Sequence, residues 1–110
     1  MKIGAFYQSG HKLVACYKAI EQLRFVYPDI PIALYEEGSD ILGRVAKRFN
    51  VDYIKVEQQG ENKRHSGRPV VDLSTNLLWL NRIYNSCLTT LKDVDWIIHY
   101  EDDVWCRRHI

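Results

Sequence analysis

Apolar and polar positions along this chain follow two rhythms, and the switches between them mark the elements. Lys2 to Tyr7 is a β-rich run that ends in the turn Gln8-Ser9-Gly10-His11. Leu13, Cys16, Tyr17, Ile20, Leu23 and Tyr27 then recur at helical spacing, one stripe of an amphipathic helix. Pro28-Asp29-Ile30-Pro31 ends it, because proline has no amide hydrogen to give the ladder. Ile32-Ala33-Leu34-Tyr35 is a second strand, running into Glu36-Glu37-Gly38-Ser39-Asp40. Ser39 or Asp40 is placed to cap a second helix, whose stripe is Ile41, Leu42, Val45, Ala46 and Phe49 and which Asn50 closes. Tyr53-Ile54-Lys55-Val56 is a third strand.

Residues 57 to 69 break the rhythm. They carry Gly60, Gly67 and Pro69, with Lys63, Arg64, His65 and Arg68 between them, and are long for a connection in a compact domain. A third helix is predicted from about Val71 to Leu91, with Leu73, Leu77, Leu80, Tyr84, Cys87 and Leu91 as its stripe. The last strand, Trp96 to Tyr100, is apolar on both faces, as a central parallel strand is.

The order β-α-β-α-β-α-β defines an α/β protein, a three-layer, Rossmann-like parallel sheet reached by right-handed crossovers. Winding outward from strand one and then returning predicts the strand order 3-2-1-4. The topological switch point, where ligands of open α/β sheets bind, then lies between strands one and four. It sets Tyr7-Gln8-Ser9 beside Glu101-Asp102-Asp103.

Composition narrows the class. The 110 residues suffice for one small domain, and 46% hydrophobic with 26% charged residues is ordinary for a globular protein. A net charge of +1 gives no global field for nucleic acid or an anionic membrane, so no nucleic-acid partner is expected. No apolar run approaches the roughly 18 residues of a transmembrane segment. The opening Met1-Lys2-Ile3-Gly4-Ala5-Phe6-Tyr7 reads as a strand and turns polar too soon for a signal peptide. Cys16, Cys87 and Cys106 are odd in number and lack C-x-x-C spacing, which argues against a disulfide framework or zinc site and suits a cytoplasmic protein.

The chemistry concentrates at strand ends. Glu101-Asp102-Asp103 delivers three consecutive carboxylates after an apolar strand, and such groups repel unless a cation or strong donors stand among them. Magnesium or manganese takes oxygen ligands of this kind together with phosphate oxygens. An acidic solvated turn is the plainer reading, but it does not require three acids there. Glu36 and Glu37 form a second acidic strand end, where helix-start electrostatics account for Ser39 and Asp40 without requiring either glutamate. Lys63, Arg64, His65 and Arg68 form a basic loop, either solvated or closing over a diphosphate. His99 reads as a satisfied core histidine, His11 faces either a phosphate or a helix dipole, and Trp79, Trp96 and Trp105 read as packing, with Trp105 the most exposed because it follows the acids. Neither G-x-G-x-x-G nor G-x-x-x-x-G-K-[ST] nor G-x-S-x-G occurs, so dinucleotide, P-loop and nucleophile-elbow readings lose support.

Three features together resemble the nucleotide-sugar-binding half of a GT-A-type glycosyltransferase. They are the first strand ending Ala5-Phe6-Tyr7, the turn Glu36-Glu37-Gly38-Ser39-Asp40, and Tyr100-Glu101-Asp102-Asp103-Val104. The turn is similar to the acidic turn after the second strand of family-2-type members, and the last stretch to their D-x-D element in its Glu-Asp-Asp form. The resemblance implies that Asp103 binds Mn2+ or Mg2+ directly, while Glu101 and Asp102 contact ribose or donor sugar or orient the metal. It implies that Glu36 or Glu37 lies near the nucleoside, that the backbone after Tyr7, at Gln8, approaches the base, and that Arg68 stands near the donor.

The donor implied is a UDP- or GDP-linked sugar, and the acceptor is a glycan or another hydroxyl compound. In the family the acceptor half follows the D-x-D element. Residues 1–110 are therefore expected to be a single donor half-domain with the acceptor half absent and little transfer activity alone. An exposed sheet edge beside the last strand would invite homo-oligomerisation. Two other classes remain: a magnesium-dependent nucleotidyltransferase-like domain, and a non-enzymatic α/β interaction domain whose acids are merely solvated.

Overall fold

The computed structural model describes residues 1–10, 12–56 and 73–101, with residues 73–79 described by their backbone. Seven elements follow one another: β1 (Ile3–Ser9), α1 (Leu13–Val26), β2 (Ile32–Glu37), α2 (Gly43–Phe49), β3 (Asp52–Val56), α3 (Leu73–Leu88) and β4 (Trp96–Tyr100). The four strands make one parallel sheet in the order β3-β2-β1-β4, the doubly wound order that the alternation predicts. β1 is central and buried from Gly4 to Ser9. Its Ser9 pairs with Glu36 of β2 and its Tyr7 with Tyr100 of β4.

Alternate residues of each strand supply two cores. On one face Ala5, Tyr7, Ile32, Leu34 and Tyr100 meet Cys16, Ala19, Ile20 and Leu23 of α1 and Val45 and Ala46 of α2. On the other, Phe6, Ala33 and Tyr35 pack with Leu91 and half-buried Ile83, Val94 and Ile97. Each buried aliphatic or aromatic side chain contributes about 1.5–3 kcal/mol, so the first core carries most of the stabilisation. Gly4 lets the chain before β4 lie close against β1, since a Cβ there would meet Leu91 Cδ2 at 2.7 Å.

Arg24 ties the opposite end of the first layer. Its guanidinium donates to the carbonyls of Ile30 at 2.6 Å, Phe49 at 2.8 Å and Asn50 at 2.8 Å, closing the ends of α1 and α2 with one side chain. Asn50 takes the left-handed conformation (φ 53°) that ends α2, as its position predicts.

The structure departs from the sequence reading at several places. α2 starts at Gly43, and neither Ser39 nor Asp40 caps it: the donors at its start go to Glu36. Trp96, expected to pack, is 64% exposed, because β4 has a neighbour on the β1 side alone among the described residues. Leu80 and Tyr84 of the predicted stripe, with Leu88, are exposed, and α3 instead turns Arg82, Ile83 and Ser86 inward. The sheet beneath is not purely apolar there. Glu37 and the Tyr35 hydroxyl need partners, and Arg82 and Ser86 supply them. No described helix is long and apolar enough to cross a membrane.

A candidate ligand site at the switch point

Glu36 and Glu37 are neighbours in sequence and separated by the sheet. β2 turns Glu36 toward α2 and Glu37 toward α3. The Glu36 side chain is 0% exposed, and its two carboxylate oxygens are fully engaged. Oε1 accepts from the Leu42 amide at 2.9 Å and the Tyr53 hydroxyl at 2.6 Å. Oε2 accepts from the Ile41 amide at 3.2 Å and from the Ser39 hydroxyl. Burial alone would raise the pKa of this carboxyl, but the donors Ser39, Tyr53, Leu42 and Ile41 together outweigh it and hold it below the ordinary range. The Tyr53 phenol is pushed up by burial, and further by its bond to Glu36 and the charges of Glu36 and Asp40. Glu36 therefore serves the turn: it organises residues 38 to 42 and leaves no acceptor for a ligand.

Gly38 completes that turn at φ 80°, a conformation that suits glycine, and donates to the Val56 carbonyl at 3.0 Å. The pairing of β2 with β3 thus carries one residue past the strand end.

Across the sheet Glu37 has a different setting. Its Oε2 accepts from Arg82 Nη1 at 3.0 Å and from Gln8 Nε2 at 3.1 Å. The side chains of Arg82 and Glu37 are 5% and 14% exposed. Gln8, at the end of β1, is 9% exposed, and its Oε1 has no hydrogen-bond partner among the described residues. Glu101 follows Tyr100, the partner of Tyr7, and so stands level with Gln8 on the far side of β1. His99 shares the Glu101 side of β4: its Nε2 is 3.9 Å from Glu101 Oε1, and its ring lies 5.6 Å from that of Phe6. His99 is exposed, not a core histidine.

The described site is thus a row, Glu37–Gln8–Glu101, across the ends of β2, β1 and β4, with Arg82 of α3 behind it. Of the residues expected to act, Gln8 and Glu37 are in contact, and Glu101 follows the end of β4 on the other side of β1. The Tyr7 side chain instead packs on Tyr100 at 5.7 Å in the core of the other face, so only its backbone belongs to the strand end. Asp102, Asp103, Arg68 and the basic loop with Lys63, Arg64 and His65 lie outside the described residues, as do His11, Trp105 and Cys106 and the side chain of Trp79. Among the described residues no three His, Cys, Asp or Glu gather to hold a metal ion.

Arg82 is the residue that sequence reasoning missed. Its signal was available: Arg82 and Ser86, spaced i to i+4, form a polar pair on a helix otherwise rich in leucine. Comparison with protein-family models, curated proteins and solved structures returns no match for this chain.

Proposed function

We propose that this chain binds a nucleotide-diphosphate sugar, in a metal-dependent manner, as the donor domain of a glycosyltransferase. The observation that supports this reading most is the strand order β3-β2-β1-β4. It puts the acid-bearing ends of β2 and β4 on either side of β1, at a switch point of the kind where α/β sheets bind nucleotides. The donor is a UDP- or GDP-linked sugar, and the acceptor is a glycan or another hydroxyl compound.

In this reading Gln8 and Glu37, with the backbone after Tyr7, meet the nucleoside, and Arg68 lies near the donor. Glu101 and Asp102 contact the ribose or sugar, and Asp103 ligates the ion. Carboxylates are hard oxygen donors of the type that Mn2+ and Mg2+ take, so the acid stretch after β4 suits either ion. The bound ion would supply Lewis-acid neutralisation of the charge that develops on a leaving diphosphate. The protein's own part is to orient the nucleotide and to hold the acids at one end of a rigid strand. Glu36, committed to its turn, has no role toward the ligand.

Calorimetric titration of the chain with UDP and GDP, with and without manganese, tests this. Binding that needs manganese and is lost in Asp103→Ala is the expected result. Absence of binding to either nucleotide would overturn the proposal, and tighter binding of nucleoside triphosphates would favour nucleotidyl transfer instead.

A further inference from the structure

Gln8 Oε1 is a buried acceptor without a partner among the described residues, and its surroundings fix which amide atom is left in that state. A carboxylate beside a guanidinium is ionised and can only accept. With Arg82 Nη1 at 3.0 Å, Glu37 Oε2 therefore requires a donor from Gln8, and the amide meets it with Nε2 at 3.1 Å. Turning the amide over would set Oε1 against Oε2, two acceptors with no proton between them. The amide oxygen and nitrogen diverge from one trigonal carbon, so Oε1 is turned away from Glu37. Arg82 acts through Glu37 to orient Gln8, and it is a positioning residue. A buried acceptor left without a donor is unfavourable by more than the hydrogen bond it could make.

Resting on the nucleotide reading above, we propose that Arg82 and Glu37 hold Gln8 so that Oε1 accepts the ring N–H of the bound base. The ligand class is a nucleotide with an imide or lactam N–H, as uracil carries at N3 and guanine at N1. Cytosine presents a lone pair at N3, where uracil presents a proton. The two pyrimidines are nearly the same shape and differ in hydrogen bonding at N3 and at C4, where uracil has a carbonyl and cytosine an amino group. Toward an acceptor that faces N3, the N3 proton is what discriminates. A site built around a fixed acceptor rejects the analogue that cannot donate to it.

Titration of the chain with UDP, GDP and CDP at constant manganese reads this directly. UDP or GDP is expected to bind about tenfold or more tightly than CDP. Gln8→Met, similar in shape and without the acceptor, should remove the preference, so that the favoured nucleotide and CDP bind with equal affinity. The pair Arg82→Met with Glu37→Gln, which removes the buried charges together, should narrow the same ratio while the amide NMR spectrum stays dispersed. Equal affinities for UDP, GDP and CDP in the unaltered protein would overturn this inference and leave nucleotide-diphosphate binding standing. A preference that survives Gln8→Met would also overturn it. Failure of all three nucleotides to bind would remove the underlying reading as well, so the two failures are distinguishable.

Discussion

The two faces of the sheet at the end of β2 treat a glutamate in opposite ways. On the α2 face Glu36 is enclosed by four donors: Ser39, Ile41 and Leu42 in the turn that follows it, and Tyr53 of the neighbouring β3. On the α3 face Glu37 accepts from two distant elements, Gln8 of β1 and Arg82 of α3, and from Gln8 the path reaches Oε1, an acceptor without a partner among the described residues. The first network closes on itself and the second has an unused end. A polar network that is complete without a ligand makes structure, and one that is incomplete is where a ligand has something to add.

Removing the closed network's centre should do the most damage. Glu36→Ala strands the donors of the turn and is expected to destabilise the protein by about 3 kcal/mol, read from urea unfolding. A loss below about 1 kcal/mol would mean that the turn is held without Glu36. Nucleotide affinity per folded molecule should not change, because Glu36 faces away from the row. On the open side, Arg82→Met leaves Glu37 as a buried charge and is expected to cost about 2 kcal/mol. Adding Glu37→Gln should restore about half of that or more, since the pair is then removed as a unit. Additive losses in this double-mutant cycle would show that the two side chains do not act together.

Acid should separate the two sides further. The Glu36 carboxyl is held below the ordinary glutamate value of 4.5. As pH falls, the unfolded chain takes up this proton before the folded one does. The stability from Glu36 is therefore complete above 4.5 and is lost as pH falls through the lower folded value. Glu36→Gln should be destabilising at neutral pH, by about 1 kcal/mol, and its deficit should shrink as the medium becomes more acid than 4.5. A deficit that stays constant down to pH 2 would show that the carboxyl is not stabilised in its charged form.

How these roles could be read in advance differs between the two glutamates. The strand order and the switch point follow from alternation of elements, which the apolar rhythm reports directly, and both were legible. The cap of α2 was not. A cap is normally sought in the residue next to the helix, whereas here a strand residue reaches across a turn to the amides of Ile41 and Leu42. The division of labour between Glu36 and Glu37 was hidden for a related reason. Strand period two puts them on opposite faces, but only the helix packed on each face decides which finds donors. Arg82 was overlooked because leucines dominate the spacing of α3. In the structure Leu80 and Tyr84 point outward and the arginine is buried at the Glu37 it serves.

The smallest effect is also the one that separates the two sides most cleanly. In the absence of nucleotide, Gln8→Met removes an acceptor that has no donor among the described residues and fills the same space, at the loss of one bond to Glu37, which keeps Arg82. These terms oppose one another, so stability should stay unchanged or rise by up to about 1 kcal/mol in urea unfolding. The same substitution made in a closed network could only be destabilising. A clear loss of stability from Gln8→Met would therefore mean that Oε1 is already satisfied in the unliganded protein. The open side would then be structural, like the turn around Glu36.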